Sequence, residues 1–109
     1  MTRVTLWEDD EGLLRGYEVT GHSGYDEKGS DIVCAAVSIL TINTINAIES
    51  FTEGKPQISS DEDRTRCVFT EAPGEAELLL LKTYELGIRS MEESYGKYVK
   101  VKVRRYKSC

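Results

Sequence analysis

The sequence is poor in the residues that build metal sites and disulfide-stapled folds. Its 109 residues include one histidine, two prolines and three cysteines. Cys34, Cys67 and Cys109 are odd in number and form no Cys-x-x-Cys pair, which argues against both a disulfide framework and a zinc site. We therefore expect reduced thiols, no metal and no cofactor.

Long hydrophobic runs are also missing from the sequence. The strongly apolar stretches at residues 32–40 and 78–81 fall short of the roughly 20 residues that a membrane span requires. The first residues turn acidic by Glu8 and contain no apolar targeting segment. These absences predict a cytoplasmic protein with no membrane partner.

Positive charge is scarce outside one segment. Residues 97–107 hold six of the 14 basic residues, whereas residues 1–96 carry a net charge of −11 from 8 basic and 19 acidic residues. The negative charge of residues 1–96 favours a basic partner over nucleic acid. The basic segment offers Tyr98 and Tyr106 for stacking on RNA, but its alternating valines indicate one core face and one solvated face, so direct RNA binding is not expected.

The hydrophobic pattern predicts the element order ββαββαβ. Apolar residues recur at helical spacing over residues 31–51, which predicts a long and largely buried helix, and a second helix follows Pro73 and Gly74 and ends near Gly96. The predicted strands lie at residues 3–8, 13–20, 57–60, 65–70 and 98–105. We expect a single α+β domain over residues 1–109, in which one mainly antiparallel sheet packs with two helices as a two-layer sandwich.

The segment "GHSGYDEKGSDIVCAAVS" places His22 twelve residues before Cys34. A cysteine nucleophile needs a thiolate, which a helix N-terminus and a protonated imidazole both favour. Ser30 suits the N-cap of the first predicted helix, so Cys34 would lie in its first turn. From residue types alone, Cys34 is better explained as a small core residue and His22 as a surface or core filler.

This segment resembles the signature of the ribosomal-processing cysteine proteases called Prp. That signature runs Gly-His-Ala/Ser, a short variable loop, and Gly-x-Asp-Ile-Val-Cys-Ala-Ala-Val-Ser. The matching residues are Gly21, His22, Gly29, Asp31, Cys34 and Ser38, and the resemblance extends over essentially the whole chain. It implies a cytoplasmic homodimeric endopeptidase, with Cys34 as nucleophile and His22 as general base and acid. The implied substrate is a basic large-subunit ribosomal protein beside the peptidyl-transferase centre, from which an N-terminal extension is removed.

Further residues of the segment are candidates for supporting or substrate-binding roles. Asp31 and Ser38 lie three residues before and four residues after Cys34, so both can share its helix face, and Gly21 precedes the histidine. Asp31 as an ordinary helix-start residue and Ser38 as a packing residue are the alternatives. We expect a flexible flap that a bound peptide orders, made of Ser23, Gly24, Tyr25, Asp26, Glu27, Lys28, Gly29 and Ser30.

Two other functions fit the same sequence. A non-catalytic ribosome-associated binding module would use the Cys34 region only structurally, and a thiol redox sensor would pair Cys34 with Cys67. The apolar helical segments "LTINTINAI" and "LLLLKTYELGI" carry more apolar surface than a small sheet covers, which favours a helix-based homodimer under any of these functions.

Overall fold

The protein alternates pairs of strands with single helices, as the sequence predicts. The structure, a computed structural model, describes residues 1–21 and 28–107, and the side chains of residues 28–31 are outside this description. The elements are β1 (Thr2–Glu8), β2 (Leu14–Thr20), α1 (Lys28–Phe51), β3 (Gln57–Ser60), β4 (Arg64–Val68), α2 (Glu75–Tyr95) and β5 (Val99–Arg105). The predicted order ββαββαβ is confirmed.

All five strands form one sheet in the order β3-β4-β2-β1-β5. The pairings β1–β2, β2–β4 and β3–β4 are antiparallel, and β1 pairs with β5 in parallel. The first and last strands thus lie side by side, where the amide of Thr2 donates to the carbonyl of Tyr98 at 2.9 Å. The predicted α+β fold with a mainly antiparallel sheet is confirmed.

Both helices cover the same face of the sheet, and the core lies between the two layers. Val4, Leu6 and Tyr17 point into this core together with Val37 of α1 and Tyr84 of α2. The rings of Tyr17 and Tyr84 stack with centroids 3.9 Å apart, and the Tyr17 hydroxyl donates to the backbone carbonyl of Thr41 at 2.7 Å. One side chain of the sheet therefore contacts both helices.

Helix α1 starts earlier than the sequence predicts. It begins at Lys28, so Ser30 is inside its first turn rather than at the N-cap, and Cys34 is in the second turn. The prediction placed the boundary at Ser30 because serine is a strong N-cap residue. Serine is also tolerated in a first turn, where it meets amides that lack intrahelical partners, so this signal does not fix the boundary.

Helix α1 is less buried than expected. Val33, Val37 and Ile48 are buried, but Ile32 is 66% exposed and Phe51 is 79% exposed. The prediction of a largely buried helix is wrong because a helix on a two-layer fold contacts the sheet and α2 along only part of its circumference.

The estimate that no apolar stretch reaches membrane-spanning length is also wrong. The segment Ile32–Phe51 is a continuous helix of 20 residues with a mean hydropathy of 1.7, which is long and apolar enough to cross a membrane by these two criteria. Thr and Asn residues interrupt the apolar run in the sequence, but they do not interrupt the helix. Core helices of soluble folds meet the same criteria, and this helix supplies part of the core described above.

A close backbone approach at Gly16 joins β2 to β4. A Cβ atom at Gly16 would lie 2.0 Å from the carbonyl oxygen of Cys67 and 2.7 Å from Cα of Val68. The register of β1 and β2 shifts next to it, between Trp7 and Glu8. Glycine is therefore required at this position for the two strands to approach.

Candidate active site

Cys34 lies at the edge of the core, near the start of α1. It is half-buried and follows the buried Val33. As the seventh residue of α1, it lies beyond the first turn, where most of the helix-dipole effect is confined. The expectation that the helix start activates this thiol is therefore weakened, and a neighbouring cation becomes the more important requirement for a reactive thiolate.

Ser38 lies one turn after Cys34 on the same side of α1. It is half-buried, and the next residue along this side, Thr41, is buried. The Thr41 and Tyr84 hydroxyls are hydrogen-bonded to each other at 2.9 Å. The predicted shared face of Cys34 and Ser38 thus continues into the tyrosine stack that joins the two layers.

No sequence pattern predicts this tyrosine cluster. Its members Tyr17, Thr41 and Tyr84 come from β2, α1 and α2, so no local pattern unites them. The residue type alone gives an indication, because a tyrosine at a core position needs a hydrogen-bond partner for its hydroxyl. The cluster fixes α1 against the sheet on the side that carries Cys34.

Gly21 has a steric role that follows directly from its backbone geometry. Its φ angle is +74°, and a Cβ atom there would lie 2.4 Å from the carbonyl oxygen of Met1. Only glycine adopts this conformation without strain, and only glycine leaves room for the Met1 carbonyl. Gly21 therefore sets the direction in which the chain leaves β2, immediately before His22.

Some predicted site residues lie outside the described part of the chain. These are His22 and five residues of the predicted flap, Ser23, Gly24, Tyr25, Asp26 and Glu27. The remaining three, Lys28, Gly29 and Ser30, belong to the first turn of α1, so the predicted loop is too long at that end. Asp31 is the fourth residue of α1, which keeps its backbone in the first turn as predicted.

The described cysteines differ sharply in their surroundings. Cys67 is fully buried in β4, as the sequence predicts for a core strand residue. Burial raises the pKa of its thiol to about 12, although a hydrogen bond with Tyr17 acts in the opposite direction. A thiol of this kind is inert at neutral pH, which weakens the redox-sensor alternative, and Cys34 and Cys67 do not form a disulfide. Cys109 lies outside the described residues.

Among the side chains that the structure describes, no group of three or more from His, Cys, Asp or Glu is arranged to hold a metal ion. The described acidic residues that form ion pairs do so with arginine, as in Asp9 with Arg15 and Glu18 with Arg66. These carboxylates stabilise turns and neighbouring strands.

The fold agrees with that of a known class of cysteine proteases. The sequence profile of the family "Cysteine protease Prp" matches residues 1–100 of the chain. The ribosomal processing cysteine protease Prp of Staphylococcus aureus is 30% identical over 105 residues, which cover 93% of this chain and 97% of that protein.

Two crystal structures of the S. aureus enzyme show the same fold. The structure of this essential ribosomal processing protease with a substrate peptide has a TM-score of 0.89 and 25% identity, and the match covers 95% of this chain and all of that one. The structure with a covalently linked product peptide has a TM-score of 0.86 and 26% identity over the same shares of the chains. The chain belongs to the Prp family of ribosomal processing cysteine proteases and is a cysteine endopeptidase.

Proposed function

We propose that this protein is a cytoplasmic endopeptidase that removes an N-terminal extension from a large-subunit ribosomal protein, the basic one beside the peptidyl-transferase centre. Residues 1–109 form one catalytic domain in this proposal. The observation that carries it is the family match over residues 1–100, which includes both His22 and Cys34. The net charge of −5 supports a basic substrate.

In the proposed mechanism, Cys34 is the nucleophile and His22 transfers the protons. The imidazole takes the proton of the thiol, and the sulfur attacks the scissile carbonyl carbon to form a tetrahedral intermediate. The intermediate collapses to a thioester as the imidazolium gives its proton to the leaving amine. Water then attacks the thioester with His22 again acting as base, and the thiol is restored when the acid product leaves.

The connection between β2 and α1 supports this pairing. Strand β2 ends at Thr20 and α1 begins at Lys28, so seven residues join them, and His22 is the second of these. Gly21 turns the chain just before His22, and Cys34 follows in the second turn of the helix. The covalently linked product peptide in the S. aureus relative supports covalent catalysis in this family.

The proposal is tested by incubating the protein with the extended ribosomal protein and with its mature form. Mass spectrometry should show one internal cut in the extended form and none in the mature form. A ribosomal precursor that stays intact, while a generic peptide is hydrolysed, would contradict the substrate and leave the protease activity standing. Hydrolysis of neither would contradict both.

Alkylation distinguishes the cysteines without any substrate. Iodoacetamide at about pH 6.5 should label Cys34 and leave Cys67 unlabelled in the folded protein, because Cys67 is fully buried and its thiol pKa is raised to about 12. Peptide mass spectrometry measures both sites, and the protein labelled in denaturant is the control. His22→Ala should slow the labelling of Cys34 and leave Cys67 unchanged. Equal labelling of Cys34 in the two proteins would argue against the pair.

We also expect the active form to be a homodimer joined through its helices. Three isoleucines form an exposed apolar stripe on α1, where Ile32, Ile39 and Ile42 are 66%, 68% and 54% exposed. Leu79 and Leu86, two turns apart on α2, are 64% and 71% exposed. A second copy would remove these side chains from water.

Light scattering tests the dimer. The wild-type protein should have twice the chain mass of 12.3 kDa, and Ile39→Glu should shift it towards the monomer by placing a charge in the apolar stripe. Ile58→Glu is the control, because Ile58 is a 40% exposed isoleucine on strand β3 and is not part of the stripe on α1. A wild-type protein that remains monomeric at micromolar concentration would refute the dimer.

A further inference from the structure

The face of the sheet opposite the helices is strongly basic, although the protein as a whole is acidic. A shallow depression on this face is lined by Arg3 of β1 and by Lys100, Lys102 and Arg104 of β5. Arg66 of β4 joins them, since it pairs with Glu18 at 3.8 Å and lies over the Trp7 ring. Among the described residues that line the depression, Glu18 is the acidic one.

These residues separate the charge of the protein into two regions. The five cations and Glu18 give this face a formal charge of +4, and the remaining residues must then carry −9 to reach the total of −5. The basic region ends at the turn after β3, where the backbone amide of Arg64 donates to the carboxylate of Asp61. Arg3, Lys100, Lys102 and Arg104 are exposed, so the face is available to a partner.

The geometry orders the cations in a line. Lys100, Lys102 and Arg104 alternate along β5, which separates successive members by about 6.6 Å. The strand register places Lys100 beside Arg3, Lys102 beside Thr5, and Arg104 beside Trp7. A linear polyanion with regularly spaced charges is the partner that best complements such a row.

An aromatic ring and hydroxyl groups distinguish this face from a merely basic one. Trp7 is half-buried, lines the depression and has the guanidinium of Arg66 5.4 Å from its ring centroid. Thr5 and Thr20 line the same depression. An aromatic side chain among cations on an open sheet can stack on an unpaired base while the cations contact phosphates. An acidic peptide would use the cations but not the ring.

We propose that this open sheet face binds single-stranded RNA. The choice of RNA over DNA rests on the proposed function, because an enzyme that acts on a ribosomal protein works where RNA is abundant. Arg3, Arg66, Lys100, Lys102 and Arg104 contact the phosphates, and Trp7 contacts a base. Cys34 is on the helical layer, on the other side of the sheet, so the RNA surface does not include the proposed nucleophile.

The single tryptophan of the chain makes the test specific to this face. Titration with a short single-stranded RNA of mixed sequence should quench the Trp7 fluorescence. With five phosphate contacts, the plot of log Kd against log salt should have a slope of about 3.5. Lys100→Gln combined with Lys102→Gln should lower this slope to about 2.1, because two contacts are lost.

The matched control is Lys55→Gln combined with Lys82→Gln, which changes the net charge equally at two exposed lysines outside the depression. It should bind RNA with the wild-type slope, and both double variants should cleave substrate at the wild-type rate.

Equal weakening of RNA binding in the two variants would overturn the proposal. RNA that leaves the Trp7 fluorescence unchanged would also overturn it. If polyglutamate binds more tightly than RNA, the partner of this face is an acidic protein and the RNA proposal is wrong. If single-stranded DNA binds more tightly than RNA, the choice of RNA is wrong. If the wild-type protein binds RNA but does not cleave the ribosomal precursor, the proposed function is contradicted and RNA binding is not.

Discussion

Cys34→Ala protein should bind its substrate and fail to cleave it. Loss of a catalytic nucleophile lowers kcat by about 10⁶-fold in a well-studied protease, and the other thiol that the structure describes cannot replace this one, because Cys67 is fully buried. Alanine suits the second turn of α1 and removes only the sulfur. The measurement is mass spectrometry of the ribosomal precursor after prolonged incubation with the variant, together with a binding assay for the same precursor.

Cys67→Ala is the control for this substitution, since it removes a thiol from the core and leaves Cys34 intact. It should lower the free energy of unfolding by leaving a small cavity in β4 and still permit cleavage. Normal processing by Cys34→Ala would contradict the cysteine mechanism. Loss of processing in Cys67→Ala protein that is still folded would transfer the catalytic role to the buried thiol.

Gly16→Ala should cause a large loss of stability. The added methyl group would lie 2.0 Å from the carbonyl oxygen of Cys67, and this neighbour is backbone in the middle of a paired strand, so it cannot rotate away. We expect the free energy of unfolding to fall by about 3 kcal/mol, at the upper end of overpacking effects. Thermal unfolding followed by circular dichroism should show Tm lowered by more than about 10 °C.

Gly12→Ala separates this clash from the general cost of replacing a glycine. Gly12 has a φ angle of +80°, but no atom lies within 4 Å of the position its Cβ would occupy. The left-handed backbone alone should cost about 1 kcal/mol. If the two variants were equally stable, the close approach of β2 and β4 would not be what requires glycine at position 16.

The sequence was sufficient to predict the elements because their signals are local. The alternating Val99, Val101 and Val103 identify β5, and Gly74 and Gly96 flank α2. Val103 is nevertheless 44% exposed, because β5 is an edge strand and the helices cover less of its far end. The family signature around Cys34 was also visible, since its residues are close together in the sequence.

The features that the sequence did not reveal depend on which strands become neighbours. The cations of the basic face come from β1, β4 and β5, and Arg3 lies 97 positions before Lys100. Considered alone, β5 has only the alternation of an ordinary half-buried strand, so an RNA surface was not expected. The parallel pairing of β1 with β5 creates the surface, and hydrophobic periodicity carries no information about that pairing.

The same pairing has a consequence for how the protein folds. Strand β1 is synthesised well before its neighbour β5, which begins at Val99, so one edge of β1 stays without this partner while the residues between them are made. An unpaired edge invites association with other chains, and contacts between the two ends of a chain form slowly. The nascent protein is therefore vulnerable to aggregation until β5 emerges and covers this edge of β1.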